Sequence, residues 1–127
     1  MTFMVEIDDS LETPIYAQIR LSIIGGIRSG ELRRGDVLMP SRELAKALGI
    51  NYHTVNKAYD ILVREGFLFR DKKKRTIVSG WNPKEEKKYL RQWQDQERNL
   101  IDEAMARGIP SSTIMDIVRQ VIDSVKN

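Results

Sequence analysis

Between Ser41 and Glu65 two helical segments are separated by a break too short to be a free loop. Ser41-Arg-Glu-Leu-Ala-Lys-Ala-Leu48 reads as a helix of about two turns, stopped by Gly49. Asn51 then caps a second helix reaching about Glu65, with Gly66 as its stop signal. A glycine-containing link this short forces the two helices to cross, which is the helix-turn-helix arrangement. In the second helix Val55, Ala58, Tyr59 and Leu62 fall at i, i+3, i+4 and i+7 and form a core stripe. Its other face presents His53, Asn56, Lys57 and Asp60.

The flanking segments extend this motif. Phe3, Val5 and Ile7 alternate with polar residues and read as a short extended arm or edge strand. Thr13-Pro14 opens a helix, Thr13 as cap and Pro14 at the first helical position. Ile15, Ile19, Ile23 and Ile27 then recur at steps of four. Gly25-Gly26 inside that helix costs roughly 1 kcal/mol per glycine relative to alanine, which points to close packing there. Ser29-Gly30 ends the helix and Arg33-Arg-Gly-Asp36 turns the chain. Phe67-Leu-Phe-Arg70 and Thr76-Ile-Val-Ser79 read as strands on either side of Asp71-Lys-Lys-Lys-Arg75, a hairpin with a basic tip. Helix, helix-turn-helix and basic hairpin together make a winged helix over residues 1–80.

Residues 81–127 begin a second unit. Asn82 caps, Pro83 follows at the first helical position, and Glu85 completes a box-like start. The helix runs to about Arg107 and carries Leu90, Trp93, Leu100, Ile101 and Ala104 on one side. After Gly108-Ile-Pro110 and Ser111-Ser112, a last helix holds Ile114, Met115, Ile117, Val118, Val121, Ile122 and Val125. That stripe is wider than one neighbouring helix covers, and a two-helix hairpin of this size buries too little surface to stand alone. A second copy forming a four-helix interface is the expected partner, with Leu90, Trp93, Leu100, Ile101, Ile114, Ile117, Val118, Val121, Ile122 and Val125 as dimerisation residues. The fold class is therefore mainly α with a small β-hairpin: a winged helix-turn-helix followed by a dimerising helical hairpin.

Composition removes most other functions. The 127 residues include no cysteine and one histidine, so thiol chemistry, disulfides and a His- or Cys-rich metal site are excluded, and no cofactor is expected. The acid pairs Glu85-Glu86 and Asp102-Glu103 lie on a polar helix face and read as solvation. No nucleophile, base and orienting group can be assembled, so the chain is not expected to be an enzyme. No apolar run approaches the ~20 residues that span a bilayer, and the acidic N-terminus lacks a signal peptide's basic start. A cytoplasmic protein without a membrane partner is the expectation. Residues 1–80 hold 13 basic and 10 acidic side chains, while residues 81–127 hold 8 of each. Arg64 to Arg75 alone holds six bases and two acids. A basic segment of that kind fits nucleic acid, though a solvated turn has the same composition.

Several spaced motifs resemble the DNA-binding half of GntR-family transcription regulators. They are Pro14-Ile-Tyr-x-Gln-Ile19, Ser29-Gly-Glu-Leu-x-x-Gly-Asp36, Arg42-Glu-Leu-Ala45, Leu48-Gly-Ile, Thr54-Val-x-Lys-Ala-Tyr59, Leu62-Val-Arg-Glu-Gly-Phe67 and Thr76-Ile-Val78. The short two-helix tail is similar to that of the YtrA-like subfamily. The resemblance implies that Arg42 touches the DNA backbone. It implies that Asn51, Tyr52, His53, Thr54, Asn56 and Lys57 face the groove, and that Lys73, Lys74, Arg75 and Thr76 form the wing. Three positions depart from the family pattern. Pro40 stands where a capping serine is usual, so Ser41 would cap one residue later, without an acidic partner at Leu44. Asn51-Tyr52 replaces a common Ser-Arg, and Lys73-Lys-Arg75 replaces the wing's two glycines.

The chemistry of the residues agrees with that implication. Asn56 suits a bidentate contact to adenine, and Lys57 suits guanine or phosphate. His53 and Thr54 suit phosphate or a base edge, whereas Tyr52 equally suits a lid over the core beside Val55. Lys72, Lys73, Lys74 and Arg75 supply sequence-independent attraction to phosphate. Asp60 would meet repulsion unless the helix end leaves the groove. Trp81 and Trp93 read as core or hinge packing, with an effector, if one exists, near them. The expected function is a homodimeric repressor on a palindromic double-stranded-DNA operator. The alternative is a winged-helix protein–protein assembly module without specific DNA binding, with a double-stranded-RNA binder behind both.

Overall fold

The computed structural model describes residues 3–126. The chain divides into two compact units, one ending at Trp81 and the other starting at Asn82. In the first unit α1 (Ile15–Ser29), α2 (Ser41–Leu48) and α3 (Tyr52–Arg64) are followed by β1 (Leu68–Arg70) and β2 (Thr76–Val78). The strands pair antiparallel with Leu68 opposite Val78, Phe69 opposite Ile77 and Arg70 opposite Thr76. Val37 adds a single bridge to Ile77, so the hairpin has a third, one-residue edge.

The core forms where the predicted stripes meet. Ile19 and Ile23 of α1, Leu44 and Ala45 of α2, and Val55, Ala58, Tyr59 and Leu62 of α3 are buried together with Leu68 and Val78. Gly49 makes the turn between α2 and α3 possible: its φ of 69° is in the left-handed region, where a side chain would be strained. Arg20 and Glu65 form a two-pronged ion pair at 2.7 and 2.8 Å that ties α1 to the end of α3. The Tyr59 hydroxyl, raised well above its ordinary pKa by burial, donates to the Met39 carbonyl at 2.7 Å. It stays a neutral donor and pins the segment entering α2.

The N-terminal segment is the extended arm rather than the edge strand: Phe3, Val5 and Ile7 are half-buried against the core, with no strand assigned there. Its anchor is Gln18, whose side chain accepts from the Asp8 N–H and donates to the Asp8 and Thr13 carbonyls. A side chain supplies what a strand neighbour would have given. Pro14, not Thr13, is the cap of α1, and its carbonyl accepts from Ala17 and Gln18. Ser41 does not cap α2; Pro40 holds that position, and Ser41 is already helical.

The glycine pair separates into two roles. A methyl group at Gly26 would collide with the Phe3 ring, so this residue is where the arm lies close on α1, while Gly25 has open space. Gly25→Ala is therefore expected to stabilise the fold by about 0.5–1 kcal/mol. Gly26→Ala is expected to gain nothing net, because the same propensity is offset by displacing Phe3. Thermal melts of the two variants against the parent check this; equal stabilisation by both contradicts the packing role of Gly26.

The second unit holds α4 (Glu86–Ala106) and α5 (Ser111–Lys126). Asn82 accepts from the Lys84 N–H as expected of a cap, but the first turn, Pro83–Glu85, is a tighter 3-10 turn. Within the chain α4 and α5 hardly touch each other, and neither has a buried side chain. Leu90, Trp93, Leu100, Ile117, Val118, Val121, Ile122 and Val125 are exposed, Leu100 at 69%. Ile101 and Ile114 are partly covered. Trp81 and Trp93, expected in packing, are 60% and 50% exposed. No helix among the described residues is long and apolar enough to cross a membrane.

Candidate nucleic-acid interface

The start of α3 is built by its cap. Asn51 is extended and its side-chain oxygen accepts from the His53 N–H at 2.9 Å, leaving the residue itself exposed. Tyr52 is half-buried, with the Arg42 guanidinium 3.9 Å above its ring and the His53 ring 4.2 Å away on centroids, tilted by 32°. Arg42, Tyr52 and His53 therefore form one stacked group that joins α2 to α3 at the exposed end of the motif. The cation–π contact is worth about 0.5–1 kcal/mol at such a site and orders the arginine. Tyr52 serves as the seat for Arg42 as well as a partial lid.

Thr54 is half-buried one residue further on. Asn56 is half-buried as well, and its Oδ1 accepts from the Ser41 hydroxyl at 2.5 Å. The bidentate adenine contact expected of Asn56 uses that oxygen, one of whose two lone pairs is taken by Ser41. Lys57 is exposed, but its ammonium sits 4.0 Å from the centre of the Tyr16 ring of α1. It is thus held at the flank of α3. Asp60 pairs with Arg70 of β1 at 2.7 Å, a solvent-exposed ion pair that offsets its charge on this side of α3.

The wing tip is ordered by one carboxylate. Asp71 accepts from the backbone N–H groups of Lys73 and Arg75, at 3.0 and 2.9 Å, and from the Arg75 guanidinium at 2.8 Å. Lys74 takes the left-handed conformation, φ 63°, that glycine would ordinarily provide. The missing glycines are replaced by an Asp-centred turn with one strained lysine. Lys72, Lys73 and Lys74 are exposed around it, whereas Arg75 is committed to Asp71. Thr76 departs from the expected wing contact. It is only 8% exposed, sits in β2 opposite Arg70, and its carbonyl accepts from Leu38. Both faces of β2 are covered, which leaves Thr76 nothing to present.

Asp71 has a pKa below its ordinary 3.8, chiefly through the Arg75 N–H. Because folding lowers this pKa, the turn's stabilisation is complete above about pH 4 and fades as the pH falls further. The amide proton shifts of Lys73 and Arg75 are expected to be constant from pH 7 to about 4.5 and to move toward coil values below pH 3.8, ahead of core amides such as Leu62. In Asp71→Ala they should be coil-like throughout. Native-like shifts in that variant contradict the role given to Asp71.

Sequence reasoning missed the Ser41–Asn56 bond, the Tyr16 seat of Lys57 and the Asp60–Arg70 pair, all between separate elements. Asp71 carried a local signal, since aspartate commonly accepts from backbone N–H groups two residues on. Among the described residues no group of three or more acidic, His or Cys side chains could hold a metal.

A recognition-type helix on a crossed helix pair, beside a basic hairpin, defines a winged helix-turn-helix protein. Residues 15–78 match the family described as bacterial regulatory proteins, gntR family, and the chain belongs to that family. The HTH-type transcriptional repressor YtrA of Bacillus subtilis is 30% identical over 97% of this chain and 95% of its own length. The solved structure of YtrA from Sulfolobus acidocaldarius, a GntR-family transcription factor, is 42% identical with a TM-score of 0.67. It matches 80% of this chain and 97% of that one. A third likeness, with a TM-score of 0.51 at 27% identity, is the DNA-binding domain of AraR in complex with operator ORE1, covering 61% of this chain and 94% of that one. The family's members are transcription regulators, not enzymes, and this chain is a YtrA-like, DNA-binding transcription regulator.

Proposed function

We propose that two copies of this chain bind a palindromic operator and act as a repressor. Residues 1–80 form the DNA-binding domain and residues 81–127 the dimerisation domain. The N-terminal residues of α3 enter the major groove: His53, Thr54 and Asn56 toward base edges, with Asn51, Arg42 and Lys57 toward the flanking backbone. Lys72, Lys73 and Lys74 bring the wing to phosphate and the minor groove. The observation that carries the reading is the exposed, base- and amide-bearing end of α3 with an ordered basic wing on the same unit. The B. subtilis relative, named a repressor, shares nearly the whole length. The AraR domain bound to its operator supports DNA as the partner of this half.

Dimerisation rests on the tail. Helices that neither bury a side chain nor cover one another leave an apolar surface that a symmetric partner would close. Sedimentation of the purified chain at micromolar concentration is expected to give the mass of two chains. A monomer would contradict the symmetric reading and favour the assembly module.

A further inference from the structure

Asn56 and Ser41 lie 15 residues apart, on different helices, and their side chains meet at 2.5 Å. Ser41 occupies the first turn of α2 only because Pro40 takes the cap. Its hydroxyl is therefore not spent on the backbone of its own helix and is free to donate to the Oδ1 of Asn56. Both residues are half-buried, so the bond is partly shielded from water. An amide whose oxygen is engaged in this way presents its Nδ2 hydrogens outward.

We propose that Ser41 is a positioning residue for base recognition: by holding the Asn56 oxygen it biases Asn56 toward reading through its Nδ2 donors. The inference rests on the placement of α3 in the major groove. An asparagine with both amide ends free matches adenine, which offers the N7 acceptor and the N6 amino donor side by side. With one of the two Oδ1 lone pairs taken by the Ser41 hydroxyl, the adenine amino group competes for the one that remains. The exposed Nδ2 hydrogens instead suit an edge made of acceptors, N7 and O6 of guanine or O4 of thymine. Cytosine, whose groove edge offers its N4 donor, is rejected because donor would face donor. Ser41 itself touches no base in this arrangement; it selects the base through Asn56.

The test uses the full chain and its selected operator, with binding measured on every single-base variant of one half-site. Asn56→Ala first marks the base pair that depends on Asn56, as the position where the ranking flattens. The parent is expected to prefer guanine or thymine there. Ser41→Ala, a substitution at a helical and partly exposed position, is expected to shift that one pair toward adenine by roughly tenfold relative to guanine, with the other positions unchanged. Ser41→Thr keeps the hydroxyl and should restore the parent ranking, which a merely structural role for Ser41 would not require. A parent that prefers adenine, or a Ser41→Ala protein with the parent ranking, overturns the proposal while leaving DNA recognition by α3 intact. An operator whose base ranking is insensitive to Asn56→Ala, or a chain that enriches no motif, overturns the groove placement and this proposal with it.

Discussion

Replacing Ile117 and Val121 together with glutamate is expected to yield a monomer that keeps its winged helix and binds operator DNA at least about a hundredfold more weakly. Both side chains are about half exposed in the single chain, so the substitutions cost little within it. In a closed interface they would place four unpaired charges in an apolar seam, at several kcal/mol for each charge left without a partner. A dimer that binds both half-sites gains from the second contact being intramolecular, an advantage on the order of 10²–10⁴. The monomer forfeits that advantage. Sedimentation and the anisotropy of a labelled operator read the two consequences separately. A variant that stays dimeric places the interface elsewhere, and a monomer with unchanged affinity removes the need for two copies on one site.

The second large effect belongs to the wing. Lys72→Ala, Lys73→Ala and Lys74→Ala combined are expected to lower affinity for every duplex alike, by roughly ten- to a hundredfold at 150 mM salt. Each phosphate no longer neutralised makes the dependence of log affinity on log salt shallower by about 0.9. Two wings with three lysines each should thus change the slope by several units. Arg75 is left in place because its guanidinium holds Asp71, and removing it would change the shape of the turn along with its charge. Alanine at position 74 bears the same left-handed strain as lysine, so the turn is retained. An unchanged slope shows that the wing stands away from the DNA. A loss confined to one operator sequence shows instead that it reads bases.

Much of this architecture was legible in the sequence because it rests on periodicity and on short-range signals. The burial of Val55, Ala58, Tyr59 and Leu62 follows from their spacing, the crossing at Gly49 from a glycine between two helical runs, and the hairpin from two apolar segments around a charged turn. The positions that escaped are those whose partners come from elsewhere in the chain. Nothing local says that Lys57 will lie over Tyr16, that Arg70 will pair with Asp60, or that Ser41 will reach Asn56 rather than cap its own helix. The resemblance placed Thr76 in the wing, yet the residue is buried in β2, whose edge is taken by the Val37–Leu38 segment. The wing tip escaped for a different reason. A turn with glycines has a familiar shape, whereas one built on Asp71 with Lys74 left-handed balances hydrogen bonds against strain, and composition does not set that balance.

The most direct test of DNA recognition by a symmetric dimer is a selection of bound duplexes from a randomised pool at 150 mM salt, followed by sequencing. An inverted repeat whose half-sites are separated by about one helical turn is the expected result, since two winged helices related by a twofold axis would meet successive major grooves on one side of the duplex. Retained DNA with no shared motif, or a single unrepeated half-site, would contradict it.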